Sequence, residues 1–234
     1  TMKYRCDLHI HSALSPCAEK EMTPVTIVGQ AALSGLDFVA IADHNAIGHV
    51  PLAVRAGEEF GVNVVPAVEV QTNEDIHLLC MFRTYGELEE FFSRLPLSER
   101  KNRADLFGEQ LYFDEDDNVV GCEERMLLDS AAISCGDVRE LAFALGGAAV
   151  PAHIDRDANS MLKILGAVPE EYPVVELSTR ATAEEIAKWS RTRLVIVDSD
   201  AHVLDDISEK GEIELPERTV AALIDRLRLG GGTE

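Results

Sequence analysis

Several things are scarce in this chain, and each scarcity removes a class of protein. The five cysteines, Cys6, Cys17, Cys80, Cys122 and Cys135, are odd in number and form no CxxC pair. That argues against a disulfide framework and against a cysteine-based structural zinc site. No apolar run approaches the roughly 18–20 residues of a membrane helix. The opening "TMKYRCDLHI" lacks the layout of a signal peptide. A cytoplasmic protein without a membrane partner is expected. Basic residues are few: 21 Lys and Arg stand against 42 Asp and Glu, a formal net charge of −21. Such a surface repels nucleic-acid backbones, so nucleic acid is not the expected partner. A small anionic substrate stays compatible, because bound divalent cations invert the field locally. There is no GxSxG elbow for a serine nucleophile, no internal repeat and no low-complexity segment.

What is present is an ordinary globular composition, 234 residues with 46% hydrophobic and 27% charged. Seven short apolar runs recur: Cys6–Ile10, Phe38–Ala42, Val62–Val68, His77–Phe82, Ala148–His153, Val174–Leu177 and Leu194–Val197. Apolar runs without alternation indicate strands buried on both faces, as in parallel sheets. Helix signals lie between them. Thr23 and Pro24 open one helix that stops at Gly35, and a second ends at Gly61. Ser134 with Asp137, and Thr182 with Glu185, mark two further starts. A last helix, about 217–229, ends at the glycines 230–232. The alternation predicts a single α/β domain, a barrel or an open doubly wound sheet. The interval 83–134 breaks the rhythm with a helical stretch and a hairpin turning at Asp116–Asn118. It reads as an insertion, a cap over the site. Its "DEDD" at 114–117 lacks calcium-loop spacing and reads as a solvated turn.

The polar residues gather at strand ends. His9 and His11 close the first run, in "DLHIHSALSPC". Asp43 and His44 follow the second, Glu69 closes the third, His153 the fifth, and Asp200 and His202 follow the seventh. In parallel α/β folds these ends meet at one face. His77 starts its run instead, which requires either an antiparallel strand or a hairpin that brings it back to Glu69. Only His49 of the seven histidines is left over. Neutral imidazoles and bridging carboxylates bind metals, and this His/Asp/Glu mixture suits Zn, Fe or Mn at a catalytic centre.

The motifs "DLHIHS", "ADHN", "VEVQT…IHLL", "PAHID" and "SDAH", in that order, resemble the polymerase and histidinol phosphatase (PHP) superfamily, in its stand-alone metal-dependent phosphoesterase subgroup. The resemblance implies a distorted seven-stranded TIM-like barrel holding two or three divalent metals. It implies His9, His11, Glu69 and Asp200 on the first metal. Glu69, His77 and His153 would hold the second, and His44 and His202 the third. Cys17 falls where trinuclear relatives carry a further histidine, either as a sulfur ligand or as an ordinary loop cysteine. Asp7 and Asp43 are candidates to accept a ligand's N–H and fix its tautomer. His9, His11, Glu69, Asp200 and His202 are the expected catalytic group.

The expected reaction is hydrolysis of a small metabolite's or nucleotide's phosphate ester by metal-activated water. Arg156 and Arg180 are candidate phosphate donors, with Lys20 and Arg103 weaker ones. Alternatives are a phosphodiesterase or exonuclease acting on nucleic-acid ends, a non-catalytic metal-binding regulatory module, and a hydrolase of C–N bonds. Many of the last use a carbamylated lysine, and no lysine ends a run here.

Overall fold

The computed structural model describes residues 1–230, so two of the glycines that close the last helix lie outside the described residues. Strands β1 (Met2–Ile10), β2 (Phe38–Ile41) and β3 (Asn63–Val64) pair in parallel. A further strand, β11 (Gly211–Leu215), runs antiparallel on the outer edge of β1. The sequence reading did not include β11. Its "GEIEL" alternates buried and exposed positions, the period of a strand with one wet face.

The single run Val62–Val68 divides at Pro66, which has no N–H to continue a ladder. It becomes β3 and the start of β4 (Ala67–Gln71). β4 turns back into β5 (His77–Met81), and β5 pairs antiparallel with β8 (Ala148–Pro151). β9 (Val174–Ser178) and β10 (Leu194–Asp198) pair in parallel. The expected α/β architecture is therefore present. Among the described residues the ladders form four separate sheets, and β5 runs antiparallel to both its neighbours, as His77 at the start of its run allowed. That reversal explains His77. The start of β5 lies beside the end of β4, where Gln71 pairs with His77.

The strands still enclose one interior. Leu8, Ala40, Ala67, Leu79, Val150, Val174 and Ile196 belong to a single buried cluster. Their outward neighbours pack under helices. Ile10, Val39 and Ile41 meet α1 (Pro24–Leu33) and α2 (Val50–Phe60), while Val68, Leu78 and Val175 meet α3 (Tyr85–Ser93) and α5 (Cys135–Ala144). The helix starts agree with the sequence. Thr23 caps α1, Ser134 caps α5, and Thr182 with Glu185 forms a capping box on α7 (Ala183–Trp189). Gly61 ends α2 at φ +73°, where a side chain would be strained.

Within 83–134, α3 packs Leu88 and Phe91 into the core. Beyond it come α4 (Ala104–Phe107) and the expected hairpin of β6 (Leu111–Phe113) and β7 (Val119–Cys122). No helix among the described residues is long and apolar enough to cross a membrane.

Candidate metal centre

Six imidazoles and two carboxylates converge at the strand ends. Glu69 is the hub. Its Oε1 lies 2.8 Å from His77 Nδ1 and 3.3 Å from both His9 Nε2 and His153 Nε2. Its Oε2 lies 2.9 Å from His44 Nδ1 and 3.3 Å from His11 Nε2. Asp200 Oδ1 faces the same ring nitrogens, 2.9 Å from His11 Nε2 and 3.4 Å from His9 Nε2. His202 Nδ1 donates to the Asp200 carbonyl at 2.8 Å, which leaves Nε2 as its lone pair. The backbones of His153 and Asp200 sit at φ +32° and +52°, uncommon for residues with side chains. Strain of this kind costs on the order of 1–3 kcal/mol and clusters at functional sites.

The electrostatics follow from the crowding. Against the cost of burial, the carboxylates of Asp200 and Glu69 lift His11 to about 9. Burial and the neighbouring His11 push His44 down to about 3. Glu69 is held well below the usual carboxylate range by His77, His9 and His44, although burial opposes it. Burying unpaired ions costs several kcal/mol each. Here buried ring nitrogens crowd one another: Nε2 of His9 and of His11 are 3.1 Å apart, and Glu69 Oε2, His44 Nδ1 and His77 Nδ1 lack a hydrogen-bond partner. A donor set of this kind fits divalent cations. Three overlapping groups have the reach of a metal site: His9–His11–Glu69, His44–Glu69–His77 and His11–His44–His202.

The remaining sequence candidates are sorted by position. Cys17 is exposed at the rim and lines the same cavity of about 400 Å³, together with His44, His77, His153, Arg156 and His202. It is in none of the three groups. Partial burial and the charge of Glu69 push its thiol up to about 12, so without a cation beside it the sulfur is protonated. Arg156 reaches the mouth and donates to Asp200 Oδ2. Arg180 does not line this cavity. It lies in the adjoining depression with Asp155 and Glu185. Lys20 and Arg103 pair with Glu109 and Asp105 away from the cluster.

Asp7 requires correction. It accepts no histidine N–H; it takes the backbone N–H of Ser199 at 3.0 Å and of Ser208 at 2.9 Å, anchoring the loop that carries Asp200. Asp43 acts one hydroxyl away: it accepts from Ser15 Oγ at 2.7 Å, and Ser15 lies 3.0 Å from His11 Nδ1. The residue that accepts directly from a candidate ligand was missed. Glu176, fully buried, takes His9 Nδ1–H at 3.0 Å and the N–H of His153 at 3.1 Å. Its signal was a lone carboxylate inside the apolar run "VVELS".

No family model matches the chain. A stretch of 73 residues is 34% identical to a 5'-3' exoribonuclease of Haemophilus influenzae, covering 31% of this chain and 25% of that protein. A stretch of the same length is 36% identical to a PolC-type DNA polymerase III of Oceanobacillus iheyensis, 31% of this chain and 5% of that one. The chain thus spans a quarter or less of the curated relatives it matches. Among solved structures, the lesion-specific endonuclease EndoQ of Pyrococcus furiosus is similar over 97% of this chain and 56% of its own, with a TM-score of 0.66 and 20% identity. A candidate metal-dependent phosphoesterase of Bifidobacterium adolescentis is similar over 84% and 87%, with a TM-score of 0.54 and 20% identity. These likenesses show a shared fold.

One expectation of the sequence is overturned by these likenesses. Nucleic acid was set aside on net charge, yet an Endonuclease Q structure similar over 97% of this chain, with a TM-score of 0.64 and 19% identity, holds a 27-mer duplex with an abasic lesion at its active site. Net charge sums over the whole surface, whereas recognition is set by the field at the mouth. The acidic composition does not exclude a nucleic-acid partner.

Proposed function

We propose that this PHP domain is a metal-dependent phosphoesterase that hydrolyses a phosphate ester with an activated water. The observation that carries the reading is Glu69, a buried carboxylate within 3.3 Å of five imidazole nitrogens. His9, His11, Glu69 and Asp200 would hold one cation, Glu69, His77 and His153 a second, and His44 with His202 a third. Cys17 lines the same cavity as His44 and His202. Zn, Fe or Mn bound there would lower the pKa of a bound water toward neutrality and neutralise the phosphoryl oxygens. The protein's own part is orientation. Glu176 fixes His9 so that Nε2 faces the centre. Arg156, partly exposed and already at Asp200, offers a planar donor to a phosphoryl oxygen entering the mouth. Asp200 and His202 line the same cavity.

The substrate we favour is a small phosphorylated metabolite or nucleotide, cleaved as a monoester. A second reading, a phosphodiester at a nucleic-acid end or lesion, is favoured by the fold shared with the endonuclease. Metal-loaded protein should be assayed against a phosphomonoester panel, bis-p-nitrophenyl phosphate and an abasic duplex. Inorganic phosphate released only from monoesters supports the first reading. Turnover of the diester or the duplex supports the second. No turnover of any phosphate ester by metal-replete protein defeats both.

A further inference from the structure

His49 is the one histidine that the metal cluster leaves out, and it is buried. Its Nε2 lies 3.0 Å from the backbone N of Phe113, in strand β6 of the inserted hairpin. A backbone N–H can only donate, so Nε2 is the acceptor and the ring proton of neutral His49 sits on Nδ1. Burial holds His49 below its ordinary pKa, which is consistent with that neutral ring. Nδ1 is 2.8 Å from Ser12 Oγ.

Every later hydrogen in the chain of contacts is then assigned by valence. Ser12 Oγ accepts from His49 and from the N–H of Leu14 at 3.3 Å, so its own hydrogen goes to Asp43 Oδ2 at 2.6 Å. Asp43 Oδ1 accepts the Ser12 N–H at 2.8 Å and the Ser15 hydroxyl at 2.7 Å. Ser15 Oγ accepts the His44 N–H at 3.2 Å, and its remaining lone pair faces His11 Nδ1 at 3.0 Å. Neutral His11, the form that can bind a cation, therefore carries its proton on Nδ1 and turns Nε2 to Glu69 and Asp200. Both hydroxyls are saturated, with one hydrogen donated and two accepted.

The same hairpin presses on both loops that this chain joins. Leu111 donates its N–H to the Ala13 carbonyl at 3.0 Å. Tyr112 packs so closely on Gly48 that a Cβ there would overlap its ring.

We propose that His49 is a positioning residue: it connects the backbone of the inserted hairpin, through Ser12, Asp43 and Ser15, to the ring of His11. Docking of the hairpin and binding of cations are then coupled. The inference rests on reading the cluster as a metal centre, and by linkage each event strengthens the other by the same factor.

Two substitutions separate the ends of the chain. In His49→Asn the side-chain amide takes the place of Nδ1 and keeps the Ser12 contact while releasing Phe113. In His49→Gln the carbonyl takes the place of Nε2 and keeps Phe113 while releasing Ser12. Nitrogen-15 NMR of the imidazoles reads the His11 tautomer in metal-free protein held above the His11 pKa of about 9, where the ring is neutral. Zinc competition titration reads affinity, and amide exchange reads Phe113. His49→Gln should weaken zinc by about tenfold, the lower end of what outer-sphere partners of a ligand contribute, and should mix the His11 tautomers while Phe113 stays protected. His49→Asn should keep the Nδ1–H tautomer and expose Phe113. In wild-type protein, zinc should slow Phe113 exchange, a measurement that needs no variant to fold. An unchanged His11 tautomer with zinc affinity within twofold in His49→Gln, or Phe113 exchange indifferent to zinc, overturns the proposal. Wild-type protein that binds no zinc overturns the metal reading instead, and the tautomer measurement then judges the hydrogen-bond chain by itself.

Discussion

Glu176 accepts the Nδ1–H of His9 at 3.0 Å, and both side chains are fully buried. The carboxylate also takes the backbone N–H of His153, and it fixes which nitrogen of His9 faces Glu69 and Asp200. Glu176→Gln keeps the shape and removes the charge. It is expected to weaken zinc binding by about 10–100-fold, in line with other carboxylate–histidine–metal arrangements. Competition against a chromogenic chelator checks it, and an affinity within twofold of wild type would show that the contact does not tune the site.

Among the described residues, Glu69 is the only carboxylate placed to touch His44, His77 and His153 together with the histidines of β1. Glu69→Gln should therefore lower the metal content by at least one ion per chain. Elemental analysis of dialysed protein reads this directly. A full complement of tightly held metal in the variant would sink the assignment of Glu69 as a bridge.

Arg156 is partly exposed at the mouth and pairs with Asp200. Hydrogen bonds to charged groups are worth about 1.5–3 kcal/mol, so Arg156→Ala should lower kcat/KM for a phosphate ester by roughly 10–100-fold. Inhibition by inorganic phosphate should weaken in parallel. Unchanged kinetics would place the phosphoryl group elsewhere.

His49 makes a prediction about pH. Burial holds it below its ordinary pKa, with Asp43 opposing, and Ser12 and Tyr112 beside it. The folded protein therefore keeps it neutral where the unfolded chain would protonate it. The unfolded state binds more protons, so stability rises with pH through this window. The contribution is fully present above about pH 6.5, the ordinary histidine value, and falls as the pH drops toward the folded pKa. Denaturant melts of wild type and His49→Asn between pH 7.5 and 5 should diverge at the high end and converge at the low end. Parallel curves would show that His49 does not report this difference.

Gly48 tests the packing of the hairpin without altering any polar group. A methyl there would overlap the Tyr112 ring, and overpacking of this kind costs about 1–3 kcal/mol. Gly48→Ala should speed amide exchange through β6 and β7 more than through β1. Uniform exchange across both would mean the hairpin is not held by this contact.

Much of the site was legible in the sequence because strands alternate faces and end where loops begin. His9 and His11, two residues apart, had to share a face, and His44, His153, Asp200 and His202 each followed an apolar run. The helix starts were equally plain, because capping is local: Thr23, Ser134 and Thr182 satisfy N–H groups only three residues away. What depended on distant pairing was not. Asp7 sat beside the first motif, yet its partners are Ser199 and Ser208. Glu176 looked like part of a strand until β9 placed it behind His9. The split of the ladders into four sheets follows from which edges meet.

The sequence by itself determined which donor atoms this protein can bring together, since a set of imidazoles and carboxylates at strand ends is chemistry written in residue type and spacing. Only the tertiary structure decided how that chemistry is oriented. It reversed β5 so that His77 reaches Glu69, set Glu176 behind His9, and ran a hairpin from the 83–134 interval against His49. Hydrogen-bond partners separated by many residues are chosen by packing, and packing is a property of the whole chain rather than of any stretch of it.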